Sequence, residues 1–474
     1  MSVEIKNKHQ LLTAGVPESR KIVLEITEEV LEKLNAYGRI RSVMRVEGSS
    51  LKIGDKCWDL TQREHIYLIG AGKACNAMAK AVEEILGDFL TDGIAVVKIQ
   101  EPEDGFKRIR VYTGGHPIPN EEGYRACMEI RKMIGQASSG DLFICVMSGG
   151  SSALMSYPVE GITLQEEMEA TDVLLKSGAG IREINAVRRH ISGMNGGRMA
   201  ELIRDRGAEL IGFNISDSVG NPPTGDISIP WKRFYGTPMG PDQTTLKDAC
   251  RMICDYNLRE RLPQSIVAYL ETPGEGKETP KEFPKNTYYQ INTLPDSCVY
   301  AMEAAKKRKV PAIVLTTFIE EEAKEAGAMM ASVARQIQEY GQPVPPPCLV
   351  FSAGEAVTTI MDNSRVRGHG GPSQEMALGF ALKASAVEGA CFLSIDSEGT
   401  DGSTDAAGGI ADSESLKALA EAGVDAYRTL REHSGFEALT KAGGIVYTGN
   451  TGTNVCDFNV LYVPPKQFVD GKKE

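Results

Sequence analysis

The chain has 474 residues, with 52 Lys plus Arg against 64 Asp plus Glu, for a net charge of −12. Hydrophobic residues make up 42% and charged residues 24%, so there is apolar material for a real core and disorder of most of the chain is excluded. An acidic surface of this size argues against general binding to nucleic acid or an anionic membrane, while leaving room for a local basic pocket.

The chain opens Met1-Ser2-Val3-Glu4-Ile5-Lys6, without a basic stretch leading into an apolar one, and no secretory leader is expected. The first strand-like run is Ile66–Ile69. A Gly70-Ala71-Gly72-Lys73-Ala74 turn and an amphipathic helix over 74–86 follow it. Two glycines let a backbone approach a ligand, and a helix N-terminus favours an anion. The turn is neither a P-loop nor a complete dinucleotide fingerprint, since Ala74 and Cys75 stand where Ser or Thr and a third Gly would be needed. A tight turn with a solvated lysine is the competing reading.

A second run, Ile94–Val97, precedes the rigid segment Thr113–Pro119 with its His116. The third, Leu142–Met147, leads into Ser148-Gly149-Gly150-Ser151-Ser152, whose amides and hydroxyls suit phosphate or carboxylate oxygens. Cations gather at Arg188, Arg189, His190 and Arg198, and a guanidinium can clamp a carboxylate. Leu210–Ile215 is followed by Ser216-Asp217-Ser218, where an Asp can hold Mg²⁺, cap a helix or accept a proton.

Residues 271–295 are rich in Pro, Gly and charge in their first half and mark the expected domain boundary. Two domains are expected, 1–285 and 286–474. Beyond lie Ala312–Leu315, the helix-to-strand connection Gly341–Pro347, and Cys348–Phe351 with Glu355 just after it. Cys391–Ile395 runs into Asp396–Asp405, whose Asp401 and Asp405 offer hard oxygens for Mg²⁺. Thr448–Asp457, with Asn454, is rich in hydroxyl and amide groups. The runs are nearly continuous in hydrophobicity and alternate with helical stretches, which predicts an α/β fold of mostly parallel sheets. In such sheets ligands bind beyond the carboxyl ends of strands, where these loops fall. No run reaches the ~18 residues of a membrane helix. The ten cysteines form no CxxC pair, so a reducing cytoplasm is the expected compartment.

Taken in order, several segments resemble the type II glycerate kinase family, whose C-terminal part is the MOFRL domain. They are GAGKA at 70–74, GGHPIP at 114–119, SGGSSAL at 148–154, EINAVRRHISGMNGGRMAE at 183–201, SDSVGNP at 216–222, GHGGPSQEMAL at 368–378, GTDGSTDAAGG at 399–409 and TGNTGTNVCD at 448–457. The resemblance covers about residues 60 to 465. It implies two Rossmann-like α/β domains with the active site in the cleft between them. It implies ATP- and Mg²⁺-dependent phosphorylation of D-glycerate, usually at the 2-hydroxyl, with Lys73 catalytic.

In that frame Arg188 and Asp217 join Lys73 as catalytic candidates. Gly70, Gly72, His116, Ser148, Gly149, Gly150, Ser151, Ser152, Glu355 and Asn454 are candidates for substrate and phosphate, and Asp401 and Asp405 for the metal. The chain departs from the family where His369 and Pro372 replace two arginines, with Arg365 and Arg367 nearby. It departs again at Tyr235–Pro238 and at Ala353. These departures leave room for a related small hydroxy acid as acceptor. Two other readings are an NAD(P)-dependent hydroxypyruvate reductase and a ligand sensor without turnover. A homodimer is compatible with the sequence.

Overall fold

In the computed structural model, which describes residues 3–101, 105–234, 238–361, 364 and 366–466, every apolar run named above lies in a strand. The chain divides into two compact units, one of residues 39–215 and 225–291, the other of 1–38, 216–224 and 292–474.

The first unit carries a small antiparallel sheet of β1 (Met44–Glu47), β2 (Ser50–Ile53) and β3 (Lys56–Asp59). Its main sheet contains β4 (Ile66–Ala71), β5 (Asp92–Val97), β6 (Ile109–Thr113), β7 (Leu142–Met147), β8 (Glu209–Ser216), β9 (Ser228–Ile229) and β10 (Thr287–Thr293). The order is β6-β5-β4-β7-β8-β10-β9, and the first five are parallel. Every side chain of β7 is buried, as its unbroken apolar run requires of a strand covered on both faces. From β4 the chain steps outward to β5 and β6, then returns to place β7 on the other side of β4. That reversal is a topological switch point, where open α/β sheets leave a crevice.

The second unit's sheet contains β11 (Ala312–Ile319), β12 (Cys348–Gly354), β13 (Cys391–Asp396), β14 (Gly408–Asp412), β15 (Ile445–Val446) and β16 (Asp457–Val463), in the order β11-β12-β16-β13-β14-β15. Four of the six strands point the same way, as expected of a mostly parallel sheet. β14 and β16 are inserted in reverse, however, so only β11 and β12 pair in parallel. The β13–β14 connection contains no helix, and without a crossover helix consecutive neighbours pair antiparallel.

The compact units are drawn differently from the expected 1–285 and 286–474. Helix Pro17–Leu34 belongs with the C-terminal residues, because its apolar stripe of Val23, Ile26, Val30 and Leu34 is buried there. Arg20 fixes it in place through a buried ion pair with Asp412 at 2.6 Å and a bond to the Gly443 carbonyl at 2.8 Å. The expected boundary also contains a strand: β10 is buried along most of its length. Gly341–Pro347 does connect helix Ala323–Tyr340 to β12. All ten cysteines are free thiols, and no helix among the described residues is long and apolar enough to cross a membrane.

Candidate active site

In the first unit, two glycine loops meet at the switch point. Gly72 has φ +125°, and a Cβ there would stand 2.7 Å from the Ser148 carbonyl oxygen and 2.8 Å from its nitrogen. Only glycine permits that approach. The Lys73 amide donates to the Gly149 carbonyl at 3.0 Å, and the Ala74 amide donates to Ser148 Oγ at 3.0 Å. The Ser148 hydroxyl, buried, thus holds the two loops together. Gly70 is crowded by side chains instead, with Cys75 Sγ 2.6 Å and Val146 Cγ2 3.0 Å from where its Cβ would lie. Helix Cys75–Leu86 begins two residues after Lys73, so the lysine stands before its positive end.

Gly150 is left-handed at φ +85° and caps the short helix Ser151–Leu154. A Cβ there would lie 3.1 Å from the His116 ring and 3.4 Å from Lys73 Cγ. Lys73, Gly149 and Gly150, half-buried, and His116, exposed, though far apart in sequence, therefore form one patch that reaches solvent. Ser151 is buried and Ser152 half-buried. The Asn195 side chain braces this segment by donating to the Ser152 and Met155 carbonyls at 3.0 and 3.1 Å.

Arg188 lies on helix Ile181–His190, half-buried, with Nη1 3.3 Å from Asn185 Oδ1. Burial is the largest influence on its pKa and lowers it, while the nearby Glu167 supports its charge. Glu167 was not foreseen as a site residue. It is buried, accepts from Ser156 Oγ, and burial pushes its carboxyl up to about 7 despite Ser156 and Arg188. The other cations are structural. Arg189 pairs with buried Asp242 at 2.9 Å, His190 is buried against Ala186 O and Glu278, and Arg198 donates to the Gly276 and Lys277 carbonyls.

In the second unit a different group forms around the buried Cys456. The Asn454 amide donates to Asp217 Oδ2 at 3.1 Å, and Cys456 Sγ donates to the Asp217 carbonyl at 2.9 Å. Burial raises the Cys456 pKa, and the charges of Asp217, Glu355, Asp457 and Asp396 add to that. Asp396 and Asp457 are ladder partners at the ends of β13 and β16, and Gly354, just before Glu355, faces Asp457 on the other side. Asp217, Glu355 and Asn454, chosen from three separate motifs, are thus brought together. Asp396 and Asp457, the first residue of the acidic segment and the last of the hydroxyl-rich one, join them.

Asp401 has another job than the metal ligation expected of it. Its carboxylate caps helix Pro372–Ala384, accepting the Ser373 and Gln374 amides at 3.2 and 2.9 Å. It is 1% exposed, and burial pushes its pKa up to about 7. Asp405 is exposed and Asp217 and Asp396 are half-buried, so these three carboxylates reach solvent. Among the described residues, the one trio of acidic, Cys or His side chains with ligand atoms within 4.8 Å of one another is Glu64–His65–Asp141, at the amino ends of β4 and β7.

Where the sequence departs from the family, His369 is exposed and bonds Glu437 at 2.9 Å, and Pro372 takes the first turn of its helix, where a missing N–H costs nothing. Arg367 is exposed, Ala353 is buried in β12, and Arg365 and Tyr235–Thr237 lie outside the described residues.

Residues 22–271 match a family model described as a domain of unknown function, DUF4147, and residues 348–457 match the MOFRL family. The chain is 37% identical over 451 residues to a glycerate 2-kinase of Pyrococcus horikoshii, covering 94% of this chain and 98% of that one. A relative in Agrobacterium vitis, provisionally named a hydroxypyruvate reductase, is 32% identical over 85% of this chain and 88% of its own length. The crystal structure of a Thermotoga maritima glycerate kinase superposes with a TM-score of 0.76 at 30% identity, covering 94% of this chain and 99% of that one.

Proposed function

The chain belongs to the glycerate kinase family with a C-terminal MOFRL domain, and we propose that it transfers the γ-phosphoryl group of ATP to the 2-hydroxyl of D-glycerate. It is an enzyme of the glycerate kinase kind. The observation that carries the finer reading is the patch at the β4–β7 switch point. There a lysine, a histidine and two glycines with accessible backbone gather in front of a helix N-terminus.

Phosphoryl transfer asks the protein chiefly to place the acceptor in line and to neutralise charge on the phosphoryl oxygens. In this reading the Lys73 ammonium meets that charge, and the Gly149–Gly150 turn offers backbone amides to phosphate or acceptor oxygens. Ser148 and Asn195 keep the turn rigid rather than binding ligand themselves. Arg188 holds the acceptor carboxylate, with Glu167 behind it. Asp217 receives the hydroxyl proton and is oriented by Asn454.

Mg²⁺ uses one or two carboxylates together with phosphates and water. Asp217, Asp396 and Asp405 fit that demand by type and access, whereas buried Asp401 does not. Bound there, the ion would offset phosphate charge. A cytoplasmic setting accords with ten free thiols.

The name of the Agrobacterium relative favours one competing reading, reduction of hydroxypyruvate. Two assays separate them. ADP release from Mg-ATP that depends on D-glycerate supports the kinase. NADH consumption with hydroxypyruvate and no ADP release would replace it.

A further inference from the structure

Within the first unit, a cavity of about 730 Å³ lies between helix Glu121–Gly135, helix Arg198–Asp205 and residues 157–164. Neither Lys73, His116 and Arg188 nor the Gly149–Ser152 turn lines it. Two of its lining residues, Tyr124 and Tyr157, stack with ring centroids 5.4 Å apart and planes 18° apart. Gly193 leaves the room that the Tyr157 ring occupies, since a Cβ there would stand 2.9 Å from Tyr157 Cδ1. Ile162 and Leu164, both buried, add aliphatic surface.

Arg131 also lines the cavity. Its guanidinium lies over the Tyr157 ring, 4.6 Å from the centroid, and Nη1 donates to the Gly193 carbonyl at 3.0 Å. Those contacts hold a half-buried cation in place while using one of the five N–H donors a guanidinium carries. Three carboxylates line the same cavity, yet none pairs with it. Glu201 bonds Arg204 at 3.1 Å, and Glu121 and Glu160 are exposed, with no ion pair among the described residues. The other lining cation, Arg198, is engaged by the Gly276 and Lys277 carbonyls. A fixed, partly desolvated guanidinium with open donors suits a carboxylate, which matches its planar fork. Glu121 and Glu160 repel a simple anion from the same space and attract a cation.

We propose that this cavity binds a free α-amino acid with an apolar side chain, aromatic ahead of aliphatic. The ligand's carboxylate takes the open donors of Arg131. Its ammonium faces Glu121 and Glu160, and its side chain lies against Tyr124, Tyr157 and the aliphatic surface. A zwitterion answers both signs at once. An acid without the ammonium keeps the repulsion of the glutamates, and an amine without the carboxylate meets the charge of Arg131. The stacked rings and the tethered guanidinium are already ordered, which lowers what binding must spend on ordering them.

Titration calorimetry at neutral pH tests this. Phenylalanine should bind saturably, one molecule per chain. Hydrocinnamate and phenethylamine, the same body without the ammonium or without the carboxylate, should each bind at least about tenfold more weakly, the loss of one charged contact. Arg131→Met should weaken phenylalanine binding by the same factor, with its unfolding transition followed to show that the chain remains folded. Glu121→Gln combined with Glu160→Gln, at exposed positions that leave the fold intact, should narrow the preference for phenylalanine over hydrocinnamate. Saturating D-glycerate should leave the affinity unchanged. No saturable binding of phenylalanine, leucine or methionine would overturn the proposal. So would hydrocinnamate binding as tightly as phenylalanine, a preference indifferent to the glutamate changes, or displacement of phenylalanine by D-glycerate.

Discussion

Asn454 and Asp217 are 237 positions apart in the chain, yet the asparagine amide donates to the aspartate at 3.1 Å. That bond links a loop after β8 to the loop before β16 and fixes the orientation of a half-buried carboxylate. A carboxylate receiving a proton from an acceptor hydroxyl contributes typically 10²–10⁴-fold. Asp217→Asn should therefore lower kcat within that range. Asn454→Ala, which frees the carboxylate without removing it, should lower kcat by a smaller factor, on the order of 10-fold. Steady-state kinetics with Mg-ATP and D-glycerate measures both.

Gly72 makes a backbone prediction. At φ +125°, with the Ser148 backbone 2.7–2.8 Å from any Cβ, Gly72→Ala should cost about 1–3 kcal/mol for the conformation alone. The overlap with Ser148 adds to that. Thermal unfolding should show the loss, and activity should fall further than stability, because Lys73 and the Gly149 turn are tied through the same contact.

Glu167 predicts a pH dependence. Its folded pKa of about 7 lies above the usual 4.5, so the folded chain holds this proton more tightly than the unfolded chain. That contribution is fully present below about pH 4.5 and lost as the pH rises to about 7. It amounts to about 3 kcal/mol at most. Glu167→Gln keeps an acceptor for Ser156 Oγ and should flatten the stability profile across that window, as denaturant titrations at several pH values would show.

The Arg20–Asp412 pair is buried at both ends, 1% and 0% exposed. Arg20→Ala leaves a buried carboxylate uncompensated and should cost about 3–5 kcal/mol. Guanidinium unfolding would measure it. A change below about 1 kcal/mol would mean that helix Pro17–Leu34 is not an integral part of the second unit.

Much of the first unit was legible in the sequence. β4 and β7 are unbroken apolar runs, β5 and β8 are apolar over most of their length, and the glycine loops directly follow the first two. Less of the second unit was legible. β14 is Gly-Gly-Ile-Ala-Asp, too small and short to read as a strand, and β16 begins with an Asp and carries an Asn at its third position. Those polar positions hid the reversed strands and, with them, Asp457's place beside Asp396. Asp401 looked like a ligand because sequence does not separate an accessible acid from one consumed as a helix cap. Glu167 did leave a signal. It lies on the same stripe as Leu164, Thr171 and Leu174, a charge on the buried face of a helix, where it needs a partner.

The central claim is that the Lys73 ammonium stabilises phosphoryl transfer to D-glycerate. The most direct measurement is product formation followed by phosphorus NMR, with Mg-ATP and D-glycerate, for the wild-type protein and for Lys73→Met. The account predicts ADP and 2-phosphoglycerate from the wild type and a kcat at least ~10²-fold lower in the variant, with its unfolding transition unchanged. Near-wild-type turnover by the variant, or no phosphorylated glycerate from the wild type, would contradict it.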